Sequence, residues 1–238
     1  MEQWQDIGIV LSVRSHGENG GIVSLLTREH GRYAGYVYSA RGSKMRGVLE
    51  PGNIVSVNWK ARLEEGLGNY TLELERSICA DVLGDAKKLS ALQSACALAD
   101  RCLAEREVYT ALFEGMKAFL KSFDNEFWVV SYISWEMGLL KELGFGLDLS
   151  QCAATGSVED LMYVSPKTGR AVSREAGEPY KDRLLMLPPF LRGQAVMEEE
   201  DILDGLNLTG YFLLNRVFGS TNMNLPEVRQ RLIERYQA

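Results

Sequence analysis

The segment IGIVLSVRSHGENGGIVSLLTREHGRYAGYVYS, residues 7–39, holds three short runs rich in Val, Ile, Leu, Tyr and Thr, separated by HGENGG and EHG. Several positions in these runs alternate apolar with polar, the two-residue period of a strand with one buried face. The glycines and asparagine between them tolerate the positive φ of tight turns. Working outward, NIVSVNWKAR (53–62) and NYTLELERS (69–77) repeat the pattern, with ARGSKMRG (40–47) and EEGLGN (64–69) as connections. Unpaired strand edges are a liability, and five short strands remove them by curling into a small barrel. The five-stranded OB barrel is the common solution that binds oligonucleotides, and an SH3-like barrel is its near competitor.

Beyond Asp85 the apolar period changes from two to about 3.6. Leu89, Leu92, Cys96, Ala99 and Leu103 share one face of a first helix, so Cys96 and its neighbour Cys102 read as small core residues. Leu112, Phe113, Met116, Phe119, Leu120 and Phe123 form the buried stripe of a second helix. A third is expected from Asp124 or Asn125, either able to cap it, to about Gly144. Residues 145–195, rich in Gly, Pro and Ser, break the pattern with a largely irregular insertion. Helix returns from about Glu199 to Phe218, and a last one opens at NLPE, with Asn224 as cap and Glu227 three positions on. The expected class is α+β: an OB barrel over 1–80, then a helical domain over 81–238.

The net charge of −6 argues against phosphate binding only if the charges are evenly spread. They are not. Residues 14–62 carry eight cations against three acids, whereas runs such as Glu198 to Asp201 make the later chain acidic. Arg14, Arg32, Arg41, Lys44, Arg46, Lys60 and Arg62 are the candidate DNA contacts, and ARGSKMRG concentrates three of them in a glycine-punctuated loop. A solvated basic face is the plainer reading of the same residues. Tyr33, Tyr36, Tyr38 and Trp59 sit in adjoining strands, where an outward ring can stack on an unpaired base. Alternation puts Tyr36 and Tyr38 on one face and Tyr33 on the other, so part of the set belongs to the core.

Catalysis has little material. Only His16 and His30 are present, both beside glycine and read as exposed turn residues. No phosphate-loop, dinucleotide, zinc-protease or serine-elbow motif occurs. Glu64 and Glu65 read as solvated charges of a hairpin loop. No enzyme activity and no cofactor is expected. Four irregularly spaced cysteines make no disulfide framework, and MEQWQDIGIV lacks a charged region leading into an apolar run, so a reducing cytoplasm fits. The longest apolar region, from Phe127, is interrupted by Ser131, Ser134 and Glu136, which disfavours a membrane span.

Several short motifs, in order, resemble one family. A D-x-G-I-V-L strand (Asp6, Gly8 to Leu11), E-H-G-R (Glu29 to Arg32), the ARG loop (Ala40 to Gly42) and L-x-P-G-N (Leu49 to Asn53) look like RecO, as do LLKELGFGLDLSQCAATG from Leu139 and MYVSPKTGRAVS from Met162. The resemblance implies a non-enzymatic mediator that binds single- and double-stranded DNA and anneals strands. It implies work with RecR, and often RecF, to load RecA onto DNA coated with single-strand-binding protein. The acidic tail of that protein would dock on the helical body, with Lys117 and Lys121, one turn apart, as candidate contacts. Some RecO proteins carry a zinc ribbon with two C-x-x-C pairs. Here Cys152 alone remains, with Thr155, Ser173 and Ala176 at the other positions, so no zinc is expected and the ribbon would be held by Leu161, Tyr163 and Val172. From the residues themselves, a scaffold that binds an acidic protein and an RNA-binding accessory factor stay open as alternatives.

Overall fold

A computed structural model of the chain describes residues 2–63, 66–194, 198–219 and 223–237. Two compact units divide it, Met1–Asp124 and Asn125–Ala238. Glu64 and Glu65 lie outside the described residues.

In the first unit, β1 (Glu2–His16), β2 (Gly20–Thr27), β3 (Gly31–Val37), β4 (Ile54–Ala61) and β5 (Asn69–Arg76) close a barrel in the order β1-β2-β3-β5-β4. β1 is long because it pairs twice, along Gly8 to His16 with β2 and along Glu2 to Ile9 with β4. The β1–β2 register shifts between Val10 and Ser12, just beyond Ile9, where the pairing with β4 ends. Val10, Val23, Leu25, Tyr33, Val37, Val55, Val57, Trp59, Tyr70 and Leu72 fill the interior.

Buried polar groups fasten the connections. Asn53, fully buried, donates from Nδ2 to the carbonyls of Gly47 (2.8 Å) and Val48 (3.4 Å) and accepts from the Cys79 amide at 3.2 Å. Asp6 accepts from the Ile7 amide (2.8 Å) and the Glu29 amide (2.9 Å) and bonds His30 Nδ1 at 2.8 Å, tying β1 to the β2–β3 turn. His30 is therefore half-buried, with its ring stacked 4.0 Å from Trp4, and is not the exposed turn residue expected of it. His16 is exposed.

ARGSKMRG, expected as a loop, forms a short helix, α1 (Ser43–Val48), because Met45 packs on the barrel core while Val48 and Leu49 are buried. After α2 (Ile78–Val82), α3 (Ala86–Cys102) starts at Asp85, whose carboxylate accepts the Lys87 and Lys88 amides, and lies along β1 and β2. Its Cys96 is core and bonds the Val10 carbonyl, whereas Cys102 is only half-buried. α4 (Thr110–Ser122) buries the expected stripe from Leu112 to Phe123.

In the second unit, α5 (Trp128–Glu142) is preceded by Phe127; neither Asp124 nor Asn125 caps it. The insertion is more ordered than its composition suggested. β6 (Leu161–Val164) pairs with β7 (Ala171–Ser173) and β8 (Leu185–Met186) in the order β7-β6-β8, with a short α6 (Arg174–Gly177) between. Leu161, Tyr163 and Val172 are buried there, and packing of these side chains, not a visible period, holds the short strands. α7 (Glu199–Phe212) begins with a reciprocal bond pattern between Glu198 and Asp201 and continues as a π-helical turn, Leu213–Phe218. α8 (Glu227–Gln237) starts three residues after Asn224, and it is the Pro226 carbonyl that accepts the Arg229 and Gln230 amides. Between α5, α7 and α8 lies a fully buried ion pair. Arg229 Nε meets Glu136 Oε1 at 2.6 Å and its Nη2 meets Oε2 at 2.9 Å, while Tyr132 and Thr209 hydroxyls donate to the same carboxylate.

Candidate nucleic-acid interface

Strand register places the cations of the barrel. Arg14 on β1 pairs with Ile22 on β2, Ile22 with Tyr36 on β3, Tyr36 with Asn69 on β5, Asn69 with Lys60 on β4, and Lys60 with Gln3 back on β1. Paired residues project from the same face, so these six form one row that winds round the barrel from Arg14 to Gln3, eleven positions lower on the same strand. All six are exposed or half-buried, whereas their neighbours Val23, Val37, Tyr70 and Trp59 are buried, so the row is on the outside. Arg14 and Lys60, 46 positions apart in sequence, thus belong to one belt with Tyr36 between them.

The belt borders an open groove of about 660 Å³ lined by His16, Tyr36, Tyr38, Arg62, Leu67 and Asn69. Tyr38, 67% exposed, stands edge-on to Tyr36 at 4.9 Å, and His16 stands edge-on to Tyr36 at 6.0 Å. The Tyr36 ring can lie there only because residue 20 is glycine. A Cβ on Gly20 would sit 1.9 Å from the phenol oxygen. Arg41 joins the same end, its amide bonding the Asn19 carbonyl and its Nη1 the Glu18 carbonyl at the tip of the β1–β2 hairpin.

The remaining candidates divide. Lys44 and Arg46 flank the half-buried Met45 on α1 and are exposed. Arg32 is engaged elsewhere: Nε donates to the Leu103 carbonyl at 2.8 Å and Nη1 lies 3.7 Å from Asp100, which fastens β3 to the end of α3. Of the four aromatics read from the sequence, Tyr33 and Trp59 are core and Tyr36 and Tyr38 face outward. Sequence reasoning missed His16 and Asn69 as groove residues: the pairing of β3 with β5 brings Asn69 beside Tyr36, and the β1–β2 and β2–β3 pairing brings His16 there. Four residues along β4 and β5 from the Lys60–Asn69 pair, at Ser56 and Glu73, the outer face turns acidic. That is roughly 13 Å at strand spacing, far enough for one face to present opposite potentials at its two ends.

Lys117 and Lys121 are exposed on α4, opposite its buried stripe. Among the described residues no group of three or more His, Cys, Asp or Glu is placed to hold a metal ion, and no helix is long and apolar enough to cross a membrane.

A closed five-stranded barrel in this strand order, leading into a helical region with a small three-stranded sheet, is an OB-type barrel protein with a helical body. Residues 1–77 match the family model for the N-terminal part of recombination protein O, and residues 83–224 match that for its C-terminal part. The chain is 51% identical to the DNA repair protein RecO of Rhodospirillum centenum over 99% of its own length and 95% of the relative's. The corresponding protein of Rhodospirillum rubrum is 46% identical (99% and 96% covered), and that of Caulobacter vibrioides NA1000 is 47% identical (98% and 97%). The chain belongs to the recombination protein O family, RecO, of DNA repair proteins.

The zinc ribbon of some relatives does not fit the residues here. Cys152 Sγ is buried and accepts from the Ser173 amide at 3.2 Å and the Ser173 hydroxyl at 3.4 Å, with Thr155 also bonded to it. Three of the positions expected from the resemblance thus converge, but on one sulfur met by hydroxyl and amide donors. A structural zinc needs a closed set of four ligands.

Proposed function

We propose that the chain is a recombination mediator that captures DNA phosphates on the belt and hairpin cations and holds unstacked bases against Tyr36 and Tyr38. The observation that carries this reading is the outer row joining Arg14, Tyr36, Asn69 and Lys60 across the closed barrel. Cations in such a row follow a flexible backbone by releasing its counterions, while base–aromatic stacking adds about 1–3 kcal/mol per base without sequence preference. Neutralising two strands in turn lowers the repulsion that slows annealing. The reading involves no turnover chemistry. Family membership supports RecR as the partner, loading of RecA on strands coated with single-strand-binding protein, and docking of that protein's tail near Lys117 and Lys121. Lys44 and Arg46 on α1 extend the DNA surface, and Arg32 acts by holding β3 in place.

The test is fluorescence anisotropy with labelled single-stranded DNA at several salt concentrations, comparing wild type with an Arg41→Ala, Lys44→Ala, Arg46→Ala variant. A steep salt slope in the wild type and a shallower one in the variant support the reading. Loss of RecR binding with DNA affinity untouched would favour the protein scaffold. Preference for RNA of equal length would favour the accessory factor.

A further inference from the structure

The second unit carries a cleft of about 280 Å³ that the DNA reading of the barrel does not use. Its walls come from three places: the turn after α5 (Gly144, Phe145, Gly146, Leu147), the β6–β7 hairpin turn (Lys167, Thr168, Gly169) and the end of α7 (Phe212, Arg216). Phe212 is buried and Phe145 is 38% exposed, so one ring closes the floor and the other stands at the rim. Arg216 belongs to the π-helical turn, and such turns recur at functional sites. Its Nη2 donates to the Lys167 carbonyl at 2.5 Å and points to the Pro166 carbonyl at 3.4 Å. The guanidinium is thereby fixed, with Nε and Nη1 without a partner among the described residues. A fixed arginine edge loses little freedom when an anion arrives. Lys167 is exposed beside it, and the Lys141 stem runs along Gly146. The neighbouring acid is committed, since Asp148 accepts from the Ser150 hydroxyl and pairs with Arg170 at 3.4 Å.

We propose that this cleft is a phosphate subsite for single-stranded nucleic acid, with the phosphate on Lys167 and the open edge of Arg216 and a base against Phe145. The inference rests on the DNA-binding reading for its ligand but on different residues, in a different unit. An acidic peptide is the rival occupant. The flat Phe145 rim and the polar hairpin turn favour a nucleotide.

The full chain, labelled with ¹⁵N, is titrated with inorganic phosphate and then with oligothymidylate. Its Lys167→Ala variant, which removes an exposed side chain with no bond among the described residues, goes through anisotropy at several salt concentrations. The expected result is a phosphate-dependent shift of the Gly146, Thr168 and Gly169 amides that Lys167→Ala abolishes, together with a salt slope shallower by about 0.7, one phosphate on a single strand. Bromodeoxyuridine oligonucleotides should cross-link to Phe145. No phosphate response, or an unchanged slope while the Arg41, Lys44, Arg46 variant still loses affinity, overturns the subsite and leaves the barrel reading standing. A wild type that binds no DNA overturns both. A response to acidic peptide alone, with none to oligonucleotide, assigns the cleft to protein.

Discussion

Replacing Arg14 and Lys60 together by Ala removes two cations from the outer row and nothing from the core, since both side chains are exposed. If Arg14, Arg41, Lys60 and Arg62 each meet one phosphate of a single strand, four contacts give a log–log salt slope of about −2.8. Raising salt from roughly 0.05 to 0.2 M would then weaken wild-type binding about 50-fold. The double variant keeps two contacts, a slope of about −1.4, and a loss of only about sevenfold over the same range. Anisotropy of a labelled oligonucleotide at four salt concentrations separates these values, and urea melts show whether the fold is intact. A Tyr36→Ala control removes stacking and no charge, so it should weaken binding while leaving the slope in place. An unchanged slope in a natively folded double variant would refute the placement of the backbone along this row.

Gly20→Ala puts a methyl group where the Tyr36 phenol lies, so it should displace the ring and mimic much of the Tyr36→Ala loss in DNA affinity; equal affinity to wild type would remove Tyr36 from the interface. Glu136→Gln leaves Arg229 charged and fully buried, and removing one partner of a buried pair costs about 3–5 kcal/mol, read by urea unfolding of the second unit; a change under about 1 kcal/mol would mean that the site relaxes or takes in water. Asp204, raised to about 6 by burial and then by Glu200 and Asp201, binds its proton more tightly folded than unfolded. Its contribution is therefore favourable below about 4 and is lost as pH rises through about 6, so Asp204→Asn should raise the melting temperature at pH 7 and make no difference near pH 3.5. A gain that persists at the lower pH would show another cause.

Much of the fold was written in local pattern. Two-residue alternation marked the five strands, and a 3.6-residue stripe marked α3 and α4, because each element must bury one face to form at all. Helix starts were less legible. Asn224 has the right chemistry for a cap, but packing of Arg229 against Glu136 sets where α8 lies, and neither side chain announces the other across 93 positions. The insertion looked irregular because strands of four, three and two residues are too short to show a period.

For the candidate site, sequence alone determined which residues are charged, that the cations cluster between residues 14 and 62, and that Tyr36 faces away from Tyr33. Tertiary structure decided which of them meet. Barrel closure through β3–β5 pairing joined Arg14 and Tyr36 on one side to Asn69 and Lys60 on the other in one row, and the end of α3 claimed Arg32. The reason is physical: alternation along a strand is a local property of the backbone, whereas register between strands distant in sequence is fixed only when the whole core packs.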